Sequence, residues 1–486
     1  MIVRCLSVDG GRRPPALSRR LKMTSIALPF LFVILFRPEI ARAWSTGRVS
    51  RPTVSADGAG VQKLNNARVV VVGKIILDVY GAPADDDDDD GNTPSTADTE
   101  RSEELPLDVK VGGGGPQAAW GAAAALACLS FREGTLSPPP SGSSPGTGDV
   151  RSPPPHQPVT FLGPVGSDWT DEENSALMAL LGSACDDVLP VRAPGSPGLE
   201  LVTPRIRIWH DDEQNVFWRS LNGSFGPGGA DGLWRDRPSA ADVLAALDGP
   251  RRNDCDGGIA LHIILEAGEG AAGGGMDGAL LLEKDLGVKV DFLGVEPIAH
   301  IDGATGAVSG EDARSCADRI LGVRHRLSSS TKQPWCIPID FVCPDVHLYE
   351  VLDEEVWTDC GLRHVAVRDG ERGSVVLGRG DSSLQRSSSG VVTIPAAALR
   401  TRDSKPVNPT GAGNAYSAAV TACLARGTSI EMAACVATAV GAAVCEYEHL
   451  PPWSWEVLVG IAEATDEVEI KTRLQQPVPT SKKQFQ

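Results

Sequence analysis

Paired cysteines, basic charge and long apolar runs are all scarce in this chain, and each shortage excludes something. No CxxC pair occurs, which removes the usual zinc-ribbon and thioredoxin spacings, and the 11 cysteines are an odd count with Cys5 close to the N-terminus. Cys128, Cys423, Cys435 and Cys445 lie in apolar helical patterns, so buried free thiols are expected, not a disulfide framework. Basic residues number 45 against 63 acids, a net charge of −18 and a pI near 4.9. A surface built to neutralise many phosphates is thereby excluded, and nucleic acid is not an expected partner. Six of the acids form the run 85–90, which reads as solvated loop. The apolar run 24–36 (TSIALPFLFVILF) falls short of the roughly 20 residues a membrane helix needs, so no mature membrane anchor is expected.

What remains is a globular composition, 42% apolar and 22% charged, in 486 residues that would ordinarily make about three domains. The N-terminus reads as a leader. Arg12, Arg13, Arg19, Arg20 and Lys22 precede the apolar run, and the small-x-small triplet of Ala41, Arg42 and Ala43 follows it. Residues 1–43 thus read as signal-peptide-like and 44–67, rich in Arg and Lys with Asp57 as the one acid, as transit-peptide-like or disordered. An aromatic residue, Trp44, after the cleavage point resembles the two-part leaders of algae whose plastids lie inside the secretory system. Secretory entry with a plastid destination is one reading; a wrongly assigned start codon on a cytosolic protein is the other.

From residue 68 onward, strand and helix patterns alternate. Residues 68–76 (RVVVVGKII) read as one buried parallel strand ending near Asp78. Further strands are expected at 159–165, 259–265, 288–293, 336–342 and 364–367, and a hairpin at 205–219. Helices are expected at 170–182, opened by Thr170 and Glu173 at capping-box spacing, and at 278–286, 311–323, 347–357 and 414–426. Thr428 and Glu431 have the same spacing and mark a last helix. Tracts dense in Asp, Gly, Pro or Ser at about 84–104, 134–158, 223–238, 267–278 and 382–390 read as insertions. The predicted architecture is α/β, a mainly parallel sheet with helices on both faces and the hairpin beside it.

The chemistry concentrates in residues 408–419, NPTGAGNAYSAA. A Gly-Ala-Gly turn entering a helix leaves unpaired backbone N–H groups at the positive end of the helix, an anion site. The turn lies downstream of a strand with Asp78, a di-Gly turn into a helix (Gly113, Gly114), the stretch FLGPVGSD at 161–168 and the hairpin. In that order these features resemble the ribokinase-like, or PfkB, family of sugar and nucleoside kinases. The resemblance implies a three-layer ribokinase-like fold and ATP with Mg²⁺, without a direct protein ligand for the metal. It also implies one domain over 68–464 with a small β lid, followed by a tail at 465–486, a sugar or nucleoside acceptor, and lid strands that either pair two chains or only cover the pocket. By the same resemblance Asp78, Gly113, Gly114 and Gln117 would bind acceptor, Arg368, Gly370 and Gly373 would line the nucleotide, and Thr410, Gly411, Ala412 and Gly413 would hold the transferred phosphoryl group.

Departures from that family are equally specific. Asn414 stands where the family has its catalytic Asp, and an amide cannot take a proton at neutral pH. Asn408 replaces the Asp that opens the motif, and the Asn-x-x-Glu element falls at 345–348 without its Glu. Glu296-Pro297 replaces an Asp-Pro-Asn feature. These substitutions resemble a divergent eukaryotic branch of the family. Two functions stay open: ATP-dependent phosphoryl transfer to an alcohol, or a catalytically impaired relative that binds nucleotide or sugar as a sensor or scaffold.

Overall fold

A computed structural model describes residues 67–80, 108–138, 152–192, 202–210, 216–221, 258–266, 290–298, 308, 313, 316–317, 339–352, 362–378, 391–401 and 406–475. The leader, the acidic run 85–90 and the expected helix at 278–286 lie outside them, as do most of the one at 311–323 and the tracts at 223–238, 267–278 and 382–390.

The chain enters at β1 (Arg68–Val72) and passes directly into β2 (Ile76–Tyr80) and then β3 (Asp108–Gly112). There follow α1 (Gly114–Arg132), β4 (Gln157–Val165), α2 (Asp171–Leu181), β5 (Cys185–Arg192) and the hairpin β6 (Arg205–His210) and β7 (Val216–Leu221). Next come β8 (Ile259–Glu266), β9 (Phe292–Ile298), β10 (Phe341–Val342), α3 (Val346–Val351), β11 (His364–Arg368), β12 (Ser374–Gly378) and β13 (Val391–Ile394). Three helices close the described chain: α4 (Ala412–Ala425), α5 (Ile430–Cys445) and α6 (Trp455–Gln475).

Nine strands form the central sheet in the order β13-β12-β11-β10-β9-β8-β1-β4-β5. From β5 to β11 every pairing is parallel, and β12 alone runs the other way, antiparallel to both β11 and β13. A parallel sheet must be covered on both faces, and the alternation of side chains along each strand shows that it is. Val69, Val71, Ala260, Phe292, Phe341 and Ala366 pack under α1, α4, α5 and α6, whereas Val70, Leu261, Ile263, Val295, Val342 and Val365 pack with Leu348 of α3, Ala313 and Cys316. The expected α/β class, helices on both faces of a mainly parallel sheet with a separate small β sheet, is therefore the one observed.

The helical face is built on small residues. α1 buries Ala118, Ala119 and the unbroken run Ala122 to Ala125, and a Cβ on Gly121 would come 2.6 Å from the Cα of Ala415 in α4. Such close backbone approach is open only to Gly and Ala. α2 carries the expected capping box, Thr170 accepting from Glu173 N–H and the Glu173 carboxylate accepting from Thr170 N–H. All seven cysteines among the described residues are free, six buried and Cys445 half-buried.

Several boundaries differ from expectation. Residues 68–80 form two strands in two sheets, because Gly73 breaks the run where the chain turns past α1: a Cβ there would lie 2.5 Å from the Gly115 Cα. β2 pairs antiparallel with β3 and parallel with β6, giving a four-stranded sheet β3-β2-β6-β7 where a hairpin alone was expected. The strand expected at 288–293 begins at Phe292 and runs to Ile298, Pro297 being tolerated within it. The strand expected from 336 is short, Phe341–Val342. α5 is capped by Ser429, whose hydroxyl accepts from Met432 N–H, and not by Thr428. The tract at 134–158 ends inside β4, and the boundary expected at 464 falls within α6, where Val468 and Thr472 are buried.

Candidate active site

Ligands in open parallel sheets sit beyond the carboxyl ends of the strands, and the candidate residues gather there. Gly411 has φ +83, a left-handed conformation that L side chains rarely adopt, and it turns the chain so that α4 begins at Ala412. α4 has no side-chain cap, so the first N–H groups of a 14-residue helix keep their anion-binding character.

Beside this turn lies a buried charged cluster. Glu296, near the end of β9, is wholly buried, and its Oε1 accepts from Arg368 Nη1 at 2.6 Å and from Asn414 Nδ2 at 3.2 Å. A carboxylate offers only acceptors, so the atom that Asn414 turns toward it is the amide nitrogen. Arg368, the last residue of β11, runs along the start of α4: a Cβ on Gly413 would stand 2.2 Å from its Nη1. Burial pulls the Arg368 pKa down, but the charge of Glu296, followed by Cys343 and Asp345, outweighs it and the guanidinium is held above its ordinary value. Behind Glu296 sits His262 of β8, also wholly buried, with Nε2 3.8 Å from Oε2. Thr421 gives its hydroxyl proton to the Ser417 carbonyl, so the 2.9 Å bond from His262 Nδ1 to Thr421 Oγ1 has the ring as donor.

A second group of residues lines a cleft between the small sheet and the loops at either end of α4 and α5. Asp78, Gly112, Gln117, Asn408, Thr410 and His449 all face it. Asp78 is buried, and burial raises its carboxyl to about 7. Room for it exists because Gly112 has no side chain, since a Cβ there would fall 1.9 Å from Oδ2. Lys110 is the register partner of Asp78 across β2 and β3, and its ammonium meets His449 Nε2. Asn408 is fully used: its Oδ1 accepts from Thr410 N–H at 3.0 Å and its Nδ2 donates to the Glu448 carbonyl at 2.8 Å.

The expected residues therefore separate into three places. Asp78, Gln117 and Thr410 share the cleft, and Gln117 packs on Gly411, whose hypothetical Cβ it would meet at 2.4 Å. Gly113, at φ +92, opens α1, while Gly114 lies under Asn414, with a would-be Cβ contact of 2.9 Å to Nδ2. Gly370 and Gly373 shape the one-turn 3-10 helix Gly370–Arg372 between β11 and β12. Asp345 is the N-cap of α3, accepting from Leu348 N–H, and Leu348 is buried core. Sequence reasoning passed over His262 and noted Glu296 only as a substitution. Their signal was present: each is the one polar residue in the interior of an apolar strand, IALHIILE and FLGVEPI.

Comparison with known proteins adds a family likeness over part of the chain. Residues 351–451 match the model of the pfkB family carbohydrate kinases. No curated protein matches the chain. Similar solved structures include the nucleoside kinase of Methanocaldococcus jannaschii, described as an archaeal member of the ribokinase family, at 16% identity and TM-score 0.45, covering 83% of this chain and 99% of that one. The ribokinase of Arabidopsis thaliana complexed with ribose and ATP is similar at 14% identity and TM-score 0.42, covering 82% and 99%. Ribokinase from Thermotoga maritima is similar at 14% and TM-score 0.44, covering 82% and 99%. The segment that carries the carbohydrate-kinase match contains Arg368, the Gly411 to Gly413 turn, and Asn414.

Proposed function

We propose that this protein is a phosphotransferase that moves the terminal phosphoryl group of ATP to an alcohol of a sugar or nucleoside. The observation that carries the reading is the uncapped α4 N-terminus at Gly411, flanked by Arg368 on one side and by the Asp78 cleft on the other. ATP supplies the phosphoryl group and Mg²⁺ neutralises its charge. The residues fit such a group: glycine at 411 and 413 keeps the turn open where a Cβ would collide with Gln117 or Arg368. Around Arg368, Glu296 is engaged by Arg368 and Asn414, and Asp345 caps α3, so in this reading neither carboxylate would serve as a direct ligand to Mg²⁺.

Each residue then has a task that its geometry permits. Asp78 accepts hydrogen bonds from acceptor hydroxyls, and Gln117 adds an amide on the same wall. With Nδ2 committed to Glu296, Asn414 offers Oδ1 to the reacting hydroxyl; it orients that group without taking its proton. Positioning and charge stabilisation dominate phosphoryl transfer, so turnover without a carboxylate at 414 is slow, not absent. Loss of general-base help is expected to cost about 10² to 10⁴ in rate. β6 and β7 cover the cleft in this reading, and β7, the outer strand of its sheet, offers the edge through which two chains would pair.

The test is ADP release by the purified chain across a panel of sugars and nucleosides. Release that depends on one acceptor and is lost in Gly411→Val is the expected result. Nucleotide binding without ADP release for any acceptor would replace the phosphotransferase by a ligand-binding protein.

A further inference from the structure

Both asparagines that replace an expected aspartate use their amide nitrogen on a fixed oxygen. Asn408 Nδ2 donates to the Glu448 carbonyl, and Asn414 Nδ2 donates to the Glu296 carboxylate. A carboxylate at either position would set two acceptors face to face. At 414 the conflict is more severe, because Glu296 is wholly buried and already ion-paired to Arg368, and its remaining oxygen stands 3.8 Å from His262 Nε2 without a hydrogen bond.

We propose that Glu296 is the positioning residue of this site: its carboxylate holds Arg368 against the α4 N-terminus and fixes the Asn414 amide with Oδ1 free to accept. Residues 296 and 414 are then one unit. Their identities exchange as a pair and not singly. Glu296 and Asn414 supply one carboxylate and one amide, with Arg368 as the cation; Asn414→Asp alone gives two carboxylates 3.2 Å apart, and Glu296→Gln alone leaves Arg368 without its counter-charge. Glu296→Gln with Asn414→Asp again leaves one amide and one carboxylate: the carboxylate at 414 becomes the counter-charge of Arg368, whose Nη1 already lies against Gly413, and accepts from the amide at 296.

The experiment compares the full-length protein with Asn414→Asp, Glu296→Gln and the double variant. Thermal unfolding of all four tests the coupling, which is expected because the two side chains touch. Each single variant is expected to lower the Tm, and the double to recover at least about half of the summed loss. Additive losses overturn the proposal. If Asn414→Asp yields no folded protein, folded double variant counts as recovery, and failure of both counts against the proposal.

The catalytic half rests on the phosphotransferase reading. There the double variant, with a base at 414, is expected to exceed Glu296→Gln in kcat by about 10²-fold while the KM for ATP changes by less than about threefold. An equal rise in both overturns a positioning role. Absence of ADP release in all four proteins refutes the phosphotransferase, while the Tm cycle still decides whether Glu296 and Asn414 are coupled.

Discussion

Two buried acids stand on opposite sides of the Gly411 turn, and the fold treats them differently. Glu296 is closed in on the helical face of the central sheet, with Arg368 and Asn414 donating to the same oxygen. Asp78 is carried by the small sheet, and the one effect that dominates it is burial, which raises its carboxyl to about 7. A buried carboxylate can be engaged by donors or left with burial as its main influence, and here one site uses both. In the proposals above, the paired acid has the task of fixing geometry and the other that of receiving a ligand.

Breaking the paired side gives the largest expected effect. Arg368→Met leaves Glu296 buried and unpaired, and denaturant unfolding is expected to show a loss of about 3–5 kcal/mol. A loss under about 1 kcal/mol would mean that the pair behaves like a surface one.

On the Asp78 side the sign reverses. Between pH 3.8 and about 7 the folded protein keeps a proton on Asp78 that the unfolded chain has released, so stability falls as pH rises through that window. Asp78→Asn is therefore expected to raise stability at pH 8 by up to a few kcal/mol and to change little at pH 4. Asp340, which burial raises to about 6, slopes the same way, and comparing variant with parent at each pH removes its share. An equal gain at both pH values would show that Asp78 is not the titrating group. If Asp78 also receives acceptor hydroxyls, acceptor affinity is expected to rise from pH 6 to 8 and vanish in Asp78→Asn.

Smaller effects bracket the comparison from outside the site. Thr170→Ala removes both the hydroxyl cap and its reciprocal geometry and is expected to cost about 1 kcal/mol. Arg400 and Glu463 form a pair whose side chains are 46% and 64% exposed, and Glu463→Gln is expected to change stability by less than about 1 kcal/mol, with added salt erasing the difference.

How much of this was legible in the sequence depended on range. The Thr170 box, the Gly411 turn and the two Asn substitutions are local patterns, and each was readable where it stands. The break at Gly73 was not, because apolar β-branched residues lie on both sides of it and only packing on Gly115 separates the sheets. Ser429 and Thr428 are adjacent hydroxyls, so composition cannot choose the cap. The contact between Arg368 and Glu296 was not legible, because the two lie 72 positions apart and only the register of β9, β10 and β11 brings their side chains to one face.

The three residues between β1 and β2 carry a mechanical consequence. Lys74 and Ile75 are buried and the Lys74 carbonyl accepts from Gly115 N–H, so this short bridge is clamped to the start of α1. Asp78 sits just beyond the clamp, on the plate formed by β3, β2, β6 and β7. Any tilt of that plate swings the carboxylate on a short lever arm, whereas the Gly411 turn stays with the main body. Grip on a ligand and closure over it would then be a single movement, and shortening or stiffening the plate would alter both together.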